Sequence, residues 1–187
     1  MKVIFRPQTN TVPDIIATAT ARRIWAERQG TITDALQQTS GLVFRERWVY
    51  ARSGNFDEVH SGWPGRKAMA VPLCVRDNSG LHYAPEIEYV GTVSHELGHR
   101  LLLEHGIVAP PGKDHHYEAH QHLYLFLLDA WRMAYGAASA RLLMKAERRG
   151  GDDYQRAMRW AEALGIDGRR KHMVQLVKQG KLTRPLG

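Results

Sequence analysis

Three residues in one stretch of this 187-residue chain have the types and spacing to do chemistry together. In Thr92–Gly106, TVSHELGHRLLLEHG, His95, Glu96 and His99 stand as H-E-x-x-H. Successive α-helical residues are about 100° apart, so i and i+4 project about 40° apart on one face. His95 and His99 can therefore bind one tetrahedral zinc ion from a single turn of helix. Glu96 lies one step round, within reach of a water on that metal. Zinc lowers the pKa of such a water toward neutrality, and a carboxylate there acts as general base. The plainer alternative is a helix with two surface histidines beside a glutamate.

The flanks read as a helix with marked ends. Val90, Gly91 and Thr92 suggest a strand end, a break and an N-cap. Gly106 and the Pro110-Pro111 pair supply a stop. Gly98, between the two histidines, permits close packing of a neighbour. Over His95, Glu96, Leu97, Gly98 and His99, preceded by the strand-like Ile87–Val90, the chain resembles the zincin metallopeptidases. That resemblance implies a small antiparallel-edged sheet backed by the active-site helix, and peptide hydrolysis at zinc. It points to no particular substrate.

Catalytic zinc normally has three protein ligands and one open position. Four residues compete for the third place. His105 gives the metzincin spacing, but Leu102 stands where that family has a helix-breaking glycine. In an unbroken helix His105 projects about 120° from His99. Glu118 lies nineteen residues after His99, as in gluzincins. On a helix starting near His115, however, it faces away from the apolar stripe of Leu123, Leu127 and Ala130. His120 sits about 200° from Glu118, beside that stripe. With HLYLFLLDAW following it, the segment also resembles small bacterial zincin-like proteins. His116 is the fourth candidate. His120 is favoured, with Glu118 close behind. His116, Tyr117 and His122 are candidates by position for stabilising an oxyanion.

Other elements must hold this helix in place. Lys2–Arg6 alternates as a first strand. Pro13 to about Glu27 reads as a helix ended by Gly30, and Thr31–Gln38 as a shorter one. Leu42–Ala51 is strand-like in composition. Arg52–Arg66 is a long Gly/Ser/Pro loop, with His60 and Trp63 as candidates to border a cleft but a connecting role favoured. Ala68–Val75 reads as an edge or bulged strand because of Pro72, a place to hold an extended substrate. Leu81–Val90 reads as a further strand. Helices are expected over His115–Tyr135, Ala137–Arg149, Asp153–Leu164 and Arg169–Gln179.

The composition, 43% hydrophobic and 24% charged, is that of a globular chain. No apolar run approaches the ~20 residues of a membrane span, and MKVIFRPQTN lacks the apolar stretch of a signal peptide. Cys74 is the single cysteine, which rules out an internal disulfide and a cysteine-dominated metal site. The expected location is cytoplasmic. Arg141–Gly187 holds twelve Lys/Arg against five Asp/Glu, a surplus equal to the net charge of +7 for the whole chain. Tyr154 and Trp160 among those cations permit a nucleic-acid reading. A helical bundle with a solvated basic face, packed through Met158, Trp160, Ala161 and Leu164, is favoured over it.

The expectation is an α+β protein: a zincin-like small mixed sheet with an active-site helix, followed by a C-terminal helical segment. Residues 1–136 form the catalytic domain, and 137–187 a basic extension packed on it or continuous with it. The expected activity is Zn²⁺-dependent hydrolysis of a peptide or protein substrate, general or directed at one regulatory target. His95, His99 and His120 would be ligands and Glu96 the base. A non-catalytic zinc protein that binds nucleic acid or an acidic partner through the basic helices is the alternative.

Overall fold

The computed structural model describes residues 1–7, 9–54, 68–72, 74–77, 80–83 and 86–180. His60 and Trp63 lie outside the described residues. The chain is mostly helical with a small sheet, an α+β arrangement. Its residues cluster into two compact units, 1–30 with 45–96 and 31–44 with 97–187.

In the first unit, β1 (Lys2–Pro7), β2 (Trp48–Gly54) and β3 (Ala68–Pro72) form a parallel sheet in that order. Parallel neighbours need a crossover, and helix α1 (Val12–Ser40) lies between β1 and β2 in the chain. Alternation along β1 buries Val3 and Phe5. Phe5 meets Trp25 of α1 edge-on at 6.5 Å and Tyr89 at 6.2 Å. The start of α1 is tied down by Asp14, which accepts hydrogen bonds from the backbone N–H and hydroxyl of Thr9. The Ala68–Val75 segment is not one strand. β3 stops at Pro72, on the sheet edge that a residue without an N–H tolerates, and β4 (Cys74–Asp77) pairs antiparallel with β5 (Gly80–Tyr83). Parallel and antiparallel pairing thus occupy separate ladders instead of one mixed sheet.

Three expectations are corrected. α1 runs through Gly30 as one helix of 29 residues. A helical glycine costs only about 1 kcal/mol relative to alanine, and Ile24, Trp25, Ile32 and Leu36 are buried on either side of it. Leu42–Arg47 is not a strand. The C-terminal side chains of α1 take its backbone donors instead: Leu42 N–H donates to Ser40 Oγ and Phe44 N–H to Gln37 Oε1. Finally, Ile87–Val90 is helical, because α2 spans Glu86–Glu104. Tyr89, Val93, Leu97 and Leu101 recur at i+4 and are all buried, which is helical burial and not strand alternation.

In the second unit, α2 ends in a left-handed cap. Gly106 has φ 70°, its N–H donates to Leu103 O, and Ile107 N–H donates to Leu102 O. Helix α3 (His115–Glu147) is broken at Gly136 (φ 78°, ψ 168°), so it consists of two helical stretches, as the composition suggests. α4 (Asp152–Ala163) and α5 (Gly165–Gly180) follow. Ala157, Met158 and Ala161 of α4 and Met173 of α5 are buried, while Arg159, Arg170 and Lys171 face solvent. The extension is thus a packed helical pair with an exposed basic face. No helix among the described residues is long and apolar enough to cross a membrane.

Candidate metal centre

Helix α2 buries every residue from Val93 to Gly98. Such all-round burial suits apolar side chains, yet the run includes Ser94, His95 and Glu96, and Arg100 is buried just beyond it. Ser94 is satisfied locally, its hydroxyl donating to Gly91 O at 2.8 Å. His95 and Glu96 are 3% and 4% exposed. Placing ionisable groups there costs several kcal/mol unless they are engaged, so this helix carries more than packing.

The approach of α3 is set by Gly98. A Cβ at that position would stand 2.4 Å from Leu123 Cδ1 and 3.5 Å from the Phe126 ring. The missing side chain lets α3 pack directly on the turn between His95 and His99, as the sequence suggests. Three residues before Leu123, His120 reaches the same place. His120 is 2% exposed, and its ring centroid lies 5.0 Å from that of His99 at a near-perpendicular 89°.

His95, His99 and His120 each offer a ring nitrogen, and the three nitrogens lie within 4.8 Å of one another. Tetrahedral coordination at zinc–nitrogen distances near 2.0–2.1 Å asks for nitrogens about 3.3 Å apart, so movements on the order of 1 Å would close the set. The tautomer of His120 suits this role. Its Nδ1 lies 2.7 Å from His116 O. A carbonyl only accepts, so Nδ1 carries the proton and Nε2 presents its lone pair. A backbone carbonyl fixing the far nitrogen is the usual outer-shell support of a metal-bound histidine. This buried three-histidine cluster can hold a metal ion.

The other candidates lie elsewhere among the described residues. His105, in the cap of α2, has Nε2 2.9 Å from Val43 O, an interaction that ties down the irregular segment after α1. Glu118 sits in the first turn of α3, where a carboxylate suits the helix dipole. It also opposes the burial that holds the His122 imidazole below its ordinary range. His116 is exposed, with Nδ1 3.3 Å from Asp153 Oδ2, and its ring is 4.4 Å from that of His120. The Tyr117 hydroxyl accepts a hydrogen bond from Gln121, and Arg156 lies over its ring at 4.3 Å.

Two residues of the C-terminal helices, one at the cluster and one away from it, have no signal in the local sequence. Tyr154 of α4 lays its ring against His120 with centroids 4.0 Å apart. Arg169 of α5 is buried and forms a two-pronged ion pair with Asp129 of α3. Only the lone acid inside the apolar run LYLFLLDAW hints that a buried cation must meet it.

Comparison with protein-family models, curated proteins and solved structures finds no match.

Proposed function

We propose that this protein is a zinc-dependent metallopeptidase of zincin type, with His95, His99 and His120 as metal ligands and Glu96 as general base. The observation that carries the reading is the convergence of the three ring nitrogens beside a buried glutamate. The donor set fits zinc: three neutral imidazoles leave a fourth position open, as catalytic sites require. When bound, zinc supplies Lewis acidity, polarising a carbonyl oxygen and bringing a water's pKa close to neutral. Within the chain, Glu96 accepts the proton of the attacking water as its oxygen bonds to the peptide carbonyl carbon. Glu96 then returns that proton to the amide nitrogen as the C–N bond breaks, leaving a carboxylic acid and an amine, and the acid's proton then passes to the amine. Burial of Glu96 keeps competing solvent from its carboxylate.

The preferred substrate is a peptide or protein, and one specific target fits as well as general turnover. The β3 edge, marked by Pro72, is the candidate place for an extended peptide to add by main-chain pairing. The test is zinc-loaded protein against a peptide library and co-encoded proteins, beside Glu96→Gln. The expected result is full metal content in both and cleavage by the wild type only, since losing a general base costs about 10²–10⁴-fold. Equal turnover by Glu96→Gln would overturn the assignment of the base. A zinc-loaded wild type that cleaves nothing, yet binds a polyanion in a salt-sensitive way, would favour a non-catalytic metal protein acting through the exposed cations of α4 and α5.

A further inference from the structure

We infer that Tyr154 is a positioning residue for the third metal ligand, so that one side chain of α4 tunes the affinity of the metal centre. The inference rests on the metal-centre reading and adds a residue to it. His120 projects from α3 and its Nδ1 is held by its own helix, at His116 O. That bond leaves the ring plane to be fixed by whatever packs on it. Tyr154 does so: the two centroids are 4.0 Å apart with the planes inclined at 42°. The same tyrosine lies 5.2 Å from His116, whose Nδ1 in turn meets Asp153, the residue before Tyr154. Tyr124, one turn along α3, contacts His120 more loosely at 5.9 Å.

The tyrosine ring also packs close to Gly150. A Cβ there would stand 2.9 Å from Cγ and Cδ1 of Tyr154 and 3.0 Å from Cδ2. Bare backbone is therefore needed for the ring to take the tilted place it holds against His120. Gly151 then turns the chain at φ 115° into the first turn of α4. The Gly150-Gly151 pair looks in the sequence like simple punctuation between helices. Here it forms a seat that places one aromatic ring on one imidazole. Tyr154 is half-buried, whereas neighbouring Ala157, Met158 and Ala161 are fully buried and carry the packing of α4. Packing of the helix and positioning of the ligand thus fall to different residues.

Outer-shell partners of metal-bound histidines typically change metal affinity 10–100-fold when removed. The experiment measures zinc affinity of the full chain by chelator competition, and the visible spectrum of its cobalt(II) form, in five proteins. They are the wild type, Tyr154→Phe, Tyr154→Leu, Gly150→Ala and Met158→Ala. The wild type and Tyr154→Phe should agree within about threefold, because the ring is kept. Tyr154→Leu and Gly150→Ala should bind zinc about tenfold more weakly and shift the cobalt spectrum. Met158→Ala should melt at lower temperature with affinity and spectrum unchanged. Should Tyr154→Leu fail to fold by circular dichroism, Gly150→Ala decides. Wild-type affinity and spectrum in the ring-disturbing variants would overturn this inference alone, as would an equal effect of Met158→Ala. A wild type that takes up neither metal would overturn the metal centre itself.

Discussion

Replacing Arg169 by methionine should destabilise the protein by about 3 kcal/mol without altering the metal centre. The guanidinium ties its own helix to two others. Nε and Nη2 donate to Asp129 of α3 at 3.0 and 2.6 Å, and Nη1 donates to Ala161 O of α4 at 3.0 Å, all from α5. The Arg169 side chain is 3% exposed and that of Asp129 15%. Breaking a buried ion pair by removing one partner costs about 3–5 kcal/mol, because the other charge stays buried. The low end applies here, since Arg132 remains 3.8 Å from Asp129, although its side chain is nearly half exposed. For a chain of this size, about 3 kcal/mol lowers the melting temperature by roughly 6–12 °C. The double variant Asp129→Leu with Arg169→Met removes both charges and should recover most of the loss. Urea unfolding followed by circular dichroism measures all three. Zinc affinity should hold, because nine residues of helix, about 13 Å, separate Asp129 from His120. A loss under 1 kcal/mol for Arg169→Met, or a double variant no better than the single one, would refute the reasoning.

Gly98→Val should lower stability by about 2 kcal/mol and weaken metal binding together, since its Cβ would collide with Leu123 and push α3 away from α2. A variant with raised melting temperature and unchanged zinc affinity would contradict that packing. Tyr89 is fully buried, and its hydroxyl has no hydrogen-bond partner among the described residues. Burial raises its phenol pKa above the ordinary 10. A raised pKa means the folded state holds its proton where the unfolded chain releases it. The associated stability is therefore complete below about pH 10 and declines as pH rises beyond it. Tyr89→Phe should be neutral to stabilising by about 1 kcal/mol at pH 7, and its unfolding free energy should fall less steeply above pH 10; the wild-type slope in the variant would count against this.

The candidate metal cluster was more legible in the chain than the elements that carry it. His95, Glu96 and His99 are local, and helix geometry relates them without any tertiary information. Gly98 likewise announces a close neighbour, and Leu123 and Phe126 are that neighbour. Local composition misleads at Ile87–Val90, where β-branched and aromatic residues read as strand but belong to a helix whose buried stripe starts at Tyr89. It misleads again at Gly30, where tertiary burial outweighs a weak helix propensity, and at Leu42–Arg47, where capping side chains replace strand pairing. His120 could be ranked by its place on the helical wheel, but His116 and Glu118 lie within one turn of it, and only the packing of α3 on α2 separates them. Tyr154 and Arg169 act across 34 and 40 residues. Nothing in their own neighbourhoods encodes those partners.

The most direct test of the metal centre is the zinc content of purified protein after dialysis, compared across single-ligand variants. Wild type, His105→Ala and Glu118→Gln should each retain about one zinc per chain, while His95→Ala, His99→Ala and His120→Ala should lose it. Full zinc in His120→Ala, with loss in Glu118→Gln or His105→Ala, would contradict the three-histidine centre.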